Sequence, residues 1–519
     1  MAIRDKVRER ESLILILCVL VAFALRFYTF DKKSLWLDEI YTIEDSRDDL
    51  KGQLKYYKDN PTYLQAPFFF MITHQFHPFT NPERDLRIIP LVFGTLSIPM
   101  IYLLARQFSA SIALPCSLAL SFMAYHISLS QDGRPYSLLM FFGMAGLYFF
   151  IKHLKTSRRE YLILMAFLFS VLFYTSYSSI PFIALSQILW FYKPRGEANK
   201  PTFSSFLVLN GLILLFCLPW IVFIAINYKG QPVMDPLRLE SPGSFGYILY
   251  GALHDWVPHS PLTIASVLVL FLFPIFSRSR RNASILLAAI VFPIVGVYIF
   301  CKLSDFSHFV TSRYFINSLP LFFITLFLSL EALERRFVKF RGLFRMKFLF
   351  TILLIASNLV ILPIYYRSEK QDFRGLVNYL TDQIRAGDKV IVTPKLIIRG
   401  LLYYFGIDPS EGREYFLSQK RVSEDETEYS IVLFYKGNKF TISHSKTYWN
   451  QYIANGDRVW LVVDNKTAKE IKKVYPLALK GYFDGSVLNL VRFPTDASMY
   501  LLLWDPGAPG EKGINMSIE

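Results

Sequence analysis

Long apolar runs are the feature of this sequence that most limits what it can fold into. They recur from Leu13 to Tyr366, and each is roughly 17 to 25 residues long, enough to cross a bilayer core as a helix. The chain is 53% hydrophobic and only 19% charged, below the charge of roughly 25% that is usual for soluble domains. The sequence therefore predicts a polytopic α-helical membrane protein up to residue 366, followed by a domain of another kind.

About eleven spans are predicted from the positions of these runs. They cover residues 13–30, 86–105, 111–129, 136–151, 161–176, 178–192, 205–228, 261–277, 284–301, 314–331 and 348–366. The first run follows a basic stretch, but no small-residue cleavage site comes after it, so we expect a retained span rather than a signal peptide. A polar stretch, residues 175–179, separates the fifth span from the sixth.

The distribution of lysine and arginine predicts the orientation. The N-terminus and every second connection together hold 21 Lys/Arg, whereas the opposite connections after the second span hold five. The positive-inside rule then puts the N-terminus in the cytoplasm and residues 367–519 outside a multi-pass plasma (inner) membrane protein. The net charge of +15 is concentrated between apolar spans, so it is not the footprint of a nucleic-acid-binding protein.

Two domains are expected. Residues 1–366 form the transmembrane domain, with outer loops at 31–85 and 229–260. The apolar part of the first loop, residues 66–79, is expected to lie in the membrane interface. Residues 367–519 alternate helix-like and strand-like pieces, which predicts a small extracytoplasmic α/β domain. Its expected helices are 372–385 and 465–474, and its expected strands are 389–393, 430–435 and 458–463.

Two carboxylates, Asp38 and Glu39, follow the first span among apolar and aromatic residues. Neighbouring side chains do not face one another on a helix or a strand, so the two do not form the facing acid pair of a glycosidase. One general base, with a neighbour that holds a metal or a partner, fits better. The alternative is an ordinary pair of interfacial acids beside the anchor Trp36.

A second polar stretch lies between the third and fourth spans, where Asp132, Arg134 and Tyr136 make a short outer connection. Arg134 either binds a ligand or neutralises Asp132. His126, inside the apolar segment before it, is either a site residue or a packing residue.

Two more arginines are expected on the outer side, Arg313 at the mouth of the tenth span and Arg87 at the start of the second. A guanidinium donates two parallel hydrogen bonds and therefore suits a phosphate. The alternatives are snorkelling for Arg313 and an ion pair with Glu83 or Asp85 for Arg87. On the predicted topology, the acids and the arginines meet at the outer leaflet.

These motifs resemble the GT-C membrane glycosyltransferases, in particular the branch with protein O-mannosyltransferases and the aminoarabinose transferases that act on lipid A. Residues 35–42 match the family's Leu-Trp-x-Asp-Glu-x-x-Thr pattern, and residues 126–136 match its His-x-x-x-Ser-Gln-acid-x-Arg-x-Tyr pattern. Looser matches are Arg313-Tyr314 before a span and the aromatic Arg-Gly segment at 372–375. The resemblance covers roughly residues 1–390.

The resemblance implies a polyprenyl-phosphate sugar donor and a single inverting displacement onto the hydroxyl of a lipid, glycan or protein acceptor in the envelope. Asp38 would be the general base, Glu39 would support it, and Arg134, Arg313 and Arg87 would bind the donor phosphate. The motif residues Asp132, Tyr136, His126, Tyr314 and Gln65 would complete the site.

One departure from the family concerns metal binding. Relatives often carry an acid or a histidine where this chain has Gln65, and in aminoarabinose transferases that acid helps to form a metal site. The resemblance therefore does not imply a tightly bound metal here, and a divalent cation at Asp38 and Glu39 stays an open alternative.

Three other functional classes fit the sequence less well than a transferase. A transporter or lipid flippase would place charged residues near the membrane midplane, whereas this chain keeps nearly all its acids in the outer loops. An O-antigen-ligase-type enzyme would use a diphosphate-linked donor and would not need an acid pair after the first span. A non-catalytic envelope scaffold would not need to retain Asp38 and Glu39.

Overall fold

The computed structural model describes most of the chain. The described residues are 2–61, 65–194, 202–229, 245–303, 311–336, 346–394, 397–407, 418–421, 427–435, 438–444, 449–473, 477–485, 498–508 and 513–514. Two predicted loops lie partly outside the described residues. These parts are residues 230–244 of the outer loop 229–260 and residues 304–310 before Arg313.

Helices dominate the described part up to residue 367. They are α1 (Ala2–Phe27), α2 (Leu37–Asp45), α3 (Leu50–Asp59), α4 (Pro67–Thr73), α5 (Pro82–Phe108), α6 (Ala110–Phe122), α7 (Ala124–Ser130), α8 (Tyr136–Thr156), α9 (Arg159–Thr175), α10 (Ile180–Leu185), α11 (Phe203–Asn227), α12 (Phe245–Trp256), α13 (Ser260–Phe276), α14 (Arg280–Leu303), α15 (Leu319–Arg336) and α16 (Met346–Arg367). Short 3-10 helices lie at His74–Phe76, Tyr177–Ser179, Ser186–Phe191 and Ser312–Ser318.

The C-terminal part adds helices and a sheet. Its helices are α17 (Phe373–Gln383), α18 (Ile397–Tyr404), α19 (Trp449–Ala454) and α20 (Asn465–Lys472). Its strands are β1 (Lys389–Thr393), β2 (Ser418–Arg421), β3 (Thr427–Tyr435), β4 (Asn438–His444), β5 (Val459–Val463), β6 (Ala478–Phe483) and β7 (Met499–Trp504). The predicted fold class, a polytopic α-helical membrane protein with a small C-terminal α/β domain, is confirmed.

Each of the eleven predicted spans coincides with a helical segment. By length and composition, six described helices can cross a membrane, or up to eight if each bent helix pair is one span. The bent pairs are α6 with α7, at 63°, and residues 248–256 of α12 with α13, at 102°. The break between the fifth and sixth predicted spans is confirmed, because α9 ends at Thr175 and Ser176 is extended. The number of spans and their orientation stay predictions.

The chain divides into two compact units. The first unit comprises residues 1–30 and 46–363, and the second comprises residues 31–45 and 364–519. The segment that carries the two motif carboxylates therefore groups with the C-terminal domain. The predicted boundary at residue 366 stays a prediction, as do the two outer loops.

In the first unit, α5, α6, α8, α9 and α15 pack closely, and α15 is buried along most of its length. Gly146 of α8 allows close approach to α9, because a Cβ there would lie 2.5 Å from the ring of Phe169. By contrast, α11 is apolar on all sides and mostly exposed, as expected for a helix that faces lipid. The apolar loop segment forms α4, which buries Phe69 and Phe70.

The second unit contains a seven-stranded sheet in the order β2-β3-β4-β1-β5-β7-β6. Strand β1 pairs parallel with β4 and β5, and the other pairs are antiparallel. Every residue of β5 is buried, which fits an apolar strand at the centre of a covered sheet. The expected strand 389–393 is found with the same bounds, and the other predicted pieces coincide with α17, α20, β3 and β5.

Candidate active site

The two motif carboxylates open helix α2 in the second unit. Asp38 is half-buried, whereas Glu39 is only 1% exposed. Glu39 Oε2 accepts a hydrogen bond from the backbone N–H of Trp36 at 3.3 Å, which is the contact that the acidic residue of a capping box makes. Both acids lie in the first helical turn, where the helix dipole favours negative charge. The structure thus gives Glu39 a contact that orients the turn bearing Asp38.

The segment before α2 contacts a third carboxylate, Glu369. Its Oε2 accepts a hydrogen bond from the backbone N–H of Ser34 at 3.0 Å. Burial, and then the nearby Asp372, raise the pKa of Glu369 to about 7, against the opposing effects of Lys33, the Ser34 N–H and Arg374. The sequence reasoning did not select Glu369, because nothing local distinguishes it from the other acids of the tail.

In the first unit, the motif 126–136 begins with a buried link to α1. The guanidinium of Arg26 lies 2.7 Å from His126 Nδ1 and also donates to the backbone oxygens of Ala22, Leu120 and Ser121. Arginine only donates, so His126 Nδ1 accepts and the ring proton is on Nε2. Both side chains are fully buried. This contact favours the packing alternative for His126.

The same motif also caps the end of α1. Gln131 Nε2 donates to the backbone oxygens of Arg26 at 2.8 Å and Tyr28 at 2.6 Å. Asp132 and Arg134 follow in a tight turn, where the Arg134 N–H contacts the Asp132 carbonyl at 2.6 Å. Asp132 is 1% exposed and Arg134 is half-buried.

The outer arginine Arg313 lies beside the end of this motif. Its guanidinium carbon is 5.7 Å from the ring centre of Tyr136 and 5.6 Å from that of Tyr314, within the range of a cation–π contact. Tyr136 follows Arg134 by two residues, so the 3-10 helix Ser312–Ser318 brings Arg313 to the motif that carries Arg134. The structure therefore joins two motifs that are far apart in the sequence.

Another acid, Asp255, contacts the residue before Arg313. Ser312 Oγ donates to Asp255 Oδ2 at 2.5 Å, and the Asp255 side chain is buried. Tyr125, on α7, interacts electrostatically with Asp255 and Arg313. Asp255 was missed because it lies at the end of the Pro- and Gly-rich outer loop, with no motif around it. Arg26 was missed too, although an arginine within an apolar span is a signal for a buried partner.

Arg87 contacts the backbone just after α1. Its side chain is 3% exposed and donates to the backbone oxygen of Phe30 at 3.0 Å. Asp85, one of its two predicted alternative partners beside Glu83, pairs with Arg84 at 2.8 Å. Gln65 is half-buried at the N-terminal side of α4.

The predicted alternative of a divalent cation concerns Asp38 and Glu39. Among the described residues, no cluster of three or more His, Cys, Asp or Glu side chains has the geometry to hold a metal ion. Glu39 accepts from a backbone N–H. A cation at these two residues stays an open alternative, and the reaction proposed for this chain does not require one.

The site therefore has two parts. Asp38 and Glu39 belong to the second unit, whereas Arg134, Tyr136, Arg313 and Tyr314 come together in the first. That the two groups meet at the outer leaflet stays a prediction. Apolar helices with paired arginine and tyrosine side chains, and a C-terminal mixed sheet, are what the resemblance to GT-C glycosyltransferases led us to expect.

Comparison with known proteins agrees with this class. A family model described as dolichyl-phosphate-mannose-protein mannosyltransferase matches residues 65–223. The apo structure of ArnT from Cupriavidus metallidurans is similar with a TM-score of 0.56 at 12% identity, over 95% of this chain and 98% of that chain. ArnT bound to undecaprenyl phosphate gives a TM-score of 0.51 at 13% identity, over 94% and 97%. No curated protein sequence matches the chain closely.

These findings agree with the predicted resemblance to GT-C membrane glycosyltransferases. The family model covers the motif 126–136 but neither the acid pair nor Arg313. The likeness to ArnT extends over almost the whole chain and shows the fold.

Proposed function

We propose that the protein transfers a sugar from a polyprenyl-phosphate donor to a hydroxyl group of an envelope acceptor, with inversion at the anomeric carbon. The observation that supports this proposal most is the contact of Arg313 with Tyr136, which follows Arg134 by two residues. The family description names a dolichyl-phosphate-linked sugar, and ArnT was solved with undecaprenyl phosphate. Both support a lipid monophosphate as the leaving group.

Arg134 and Arg313 bind the donor phosphate in this proposal. An arginine stays protonated at any physiological pH and presents two aligned donors to a phosphate. The rings of Tyr136 and Tyr314 lie within cation–π distance of the Arg313 guanidinium. As the bond between the anomeric carbon and the phosphate oxygen breaks, the departing phosphate keeps the electron pair, and the two guanidinium groups stabilise its growing charge.

Asp38 is the general base in this proposal. The acceptor oxygen attacks the anomeric carbon from the face opposite the phosphate, and Asp38 takes the hydroxyl proton during the attack. Asp38 is only half-buried, whereas the buried Glu39 accepts from the backbone at the start of the same helical turn. Glu39 thus positions Asp38 and does not itself take the proton.

The reaction takes place at the outer face of the plasma (inner) membrane in this proposal, with the N-terminus in the cytoplasm. The excess of lysine and arginine in alternate connections supports that orientation. The acceptor is a lipid, a glycan or a protein.

A deletion strain tests the proposal. Mass spectrometry of its envelope glycolipids, glycans and proteins should show the loss of one sugar, restored by the wild-type chain. Asp38→Asn should not restore it, although the variant should reach the membrane in normal amounts. Asp59→Asn is the matched control, because Asp59 is an exposed acid at the end of α3. An unchanged envelope in the deletion strain would refute the transferase function, and full restoration by Asp38→Asn would remove Asp38 as the base.

A further inference from the structure

Backbone groups just before α2 bind side chains from the C-terminal half of the second unit. The N–H of Ser34 donates to Glu369 Oε2 at 3.0 Å, and the N–H of Leu35 donates to the hydroxyl oxygen of Tyr404 at 2.7 Å. The Ser34 hydroxyl donates to the same Tyr404 oxygen at 3.2 Å. Two consecutive residues of the acid-bearing segment are thus held by partners that lie far along the chain.

The first residue of α2 is held in the same way. The N–H of Leu37 donates to Gln371 Oε1 at 2.9 Å. The N–H groups of the first helical turn have no partner within the helix, so this amide oxygen supplies one. The ammonium group of Lys370 lies 4.5 Å from the ring centre of Trp36 and covers the residue between them.

The motif at 372–375 builds this binding surface. The N–H of Arg374 donates to the Ser34 hydroxyl at 3.2 Å, and its guanidinium donates to the carbonyl of Lys32. Asp372 caps α17 by accepting from the N–H of Gly375 at 2.8 Å. A Cβ at Gly375 would lie 2.1 Å from that carboxylate, so a larger residue there would make the Asp372 side chain shift.

The other end of α2 is held by α18. Arg399 forms a two-pronged ion pair with Glu44, and its guanidinium carbon lies 4.4 Å from the ring centre of Tyr41. The same helix α18 supplies Tyr404 at the first end. Helix α18 in turn packs tightly on α17, where a Cβ at Gly400 would lie 2.4 Å from the ring of Phe373.

A helix of nine residues is too short to be stable alone in water, where roughly 12 to 15 residues are needed even for good helix formers. Its place therefore depends on the groups that bind its ends. From this geometry we infer that the C-terminal α/β domain positions α2, the helix that carries the proposed general base Asp38. The positioning residues are Glu369, Gln371, Arg374, Arg399 and Tyr404. The inference rests on the proposed role of Asp38 as the general base.

Two conservative variants of the full-length protein test it. Gln371→Met removes the oxygen that accepts from Leu37, and Tyr404→Phe removes the oxygen that accepts from Leu35. Each should lower kcat about tenfold to a hundredfold, the cost of a misplaced catalytic group, while KM for the polyprenyl-phosphate donor changes less than about twofold. Hydrogen–deuterium exchange of the peptide covering residues 34–45 should become faster in both variants.

Matched controls separate positioning from general damage. Gln383→Met makes the same change at an exposed end of α17, and Tyr379→Phe makes it where the ring packs on Phe483. Both should keep wild-type kcat and exchange. Gln371→Glu retains an acceptor oxygen and should recover most of the activity that Gln371→Met loses. If Gln371→Met does not fold, Tyr404→Phe carries the same test.

The outcomes are distinct. Unchanged kcat in Gln371→Met and Tyr404→Phe would overturn the positioning role, and so would a lower kcat without faster exchange at residues 34–45. Asp38→Asn, measured in parallel, tests the base itself. An active Asp38→Asn would remove Asp38 as the proposed base, on which the inference rests. An inactive Asp38→Asn beside fully active Gln371→Met and Tyr404→Phe would refute only the positioning role.

Discussion

Changing Arg313 to lysine is the sharpest test of the donor site. Lysine keeps the positive charge but loses the planar group that lies 5.7 Å from Tyr136 and 5.6 Å from Tyr314. It also gives up the second of two parallel bonds to a phosphate, and a hydrogen bond to a charged group contributes about 1.5–3 kcal/mol. Because about 1.4 kcal/mol is a factor of ten, the donor affinity should fall about tenfold to a hundredfold. Arg313→Ala loses the charge as well and should fall further.

The assay titrates donor and acceptor separately against the purified protein. Arg313→Lys should raise KM for the donor and leave KM for the acceptor near its wild-type value. Arg106→Lys is the matched control, since Arg106 also lies over a tyrosine ring, that of Tyr102 at 5.8 Å, but at the exposed end of α5. A defect in acceptor affinity alone would return Arg313 to the snorkelling alternative.

Three further outcomes are expected. Arg26→Met should lower the free energy of unfolding in detergent by about 2 kcal/mol or more, because His126 and three carbonyls lose a buried donor; an unchanged melting temperature would contradict this. The pKa of Glu369 is raised from 4.5 to about 7, so the folded protein loses stability as the pH rises through that window. Glu369→Gln should therefore have a higher melting temperature than wild type at pH 8 and the same melting temperature below pH 4.5. Equal melting temperatures at pH 8 would contradict this. A reporter enzyme that is active only outside the cytoplasm should work when fused after Glu519, and an inactive one would refute the predicted orientation.

The sequence predicted what depends on local pattern. Apolar runs located the helical segments, since a span must bury or face lipid along its whole length. The strand at 389–393 and the helix within 372–385 were predicted from the local residue pattern. The bend between α6 and α7 was not predicted, because residues 111–129 read as one continuous apolar run.

The rest depends on contacts between distant parts of the chain. Nothing near Gln371 or Tyr404 in the sequence indicates that these side chains bind the backbone before α2. The pairing of Arg313 with Tyr136 is likewise a tertiary contact. The motif pattern selected Arg313 and Tyr136 as site residues. The residue types alone did not distinguish a phosphate-binding role from a packing role.

The described contacts divide the motif residues by role. Helix α1 ends just before the acid-bearing segment, and the last carbonyls of a helix have no partner within it. Gln131 supplies donors to Arg26 and Tyr28, and Arg87 supplies one to Phe30. These two side chains therefore hold the backbone at the end of α1 and just after it. The motif 126–136 thus combines Arg134, which we propose to bind the donor phosphate, with Gln131, which caps a helix.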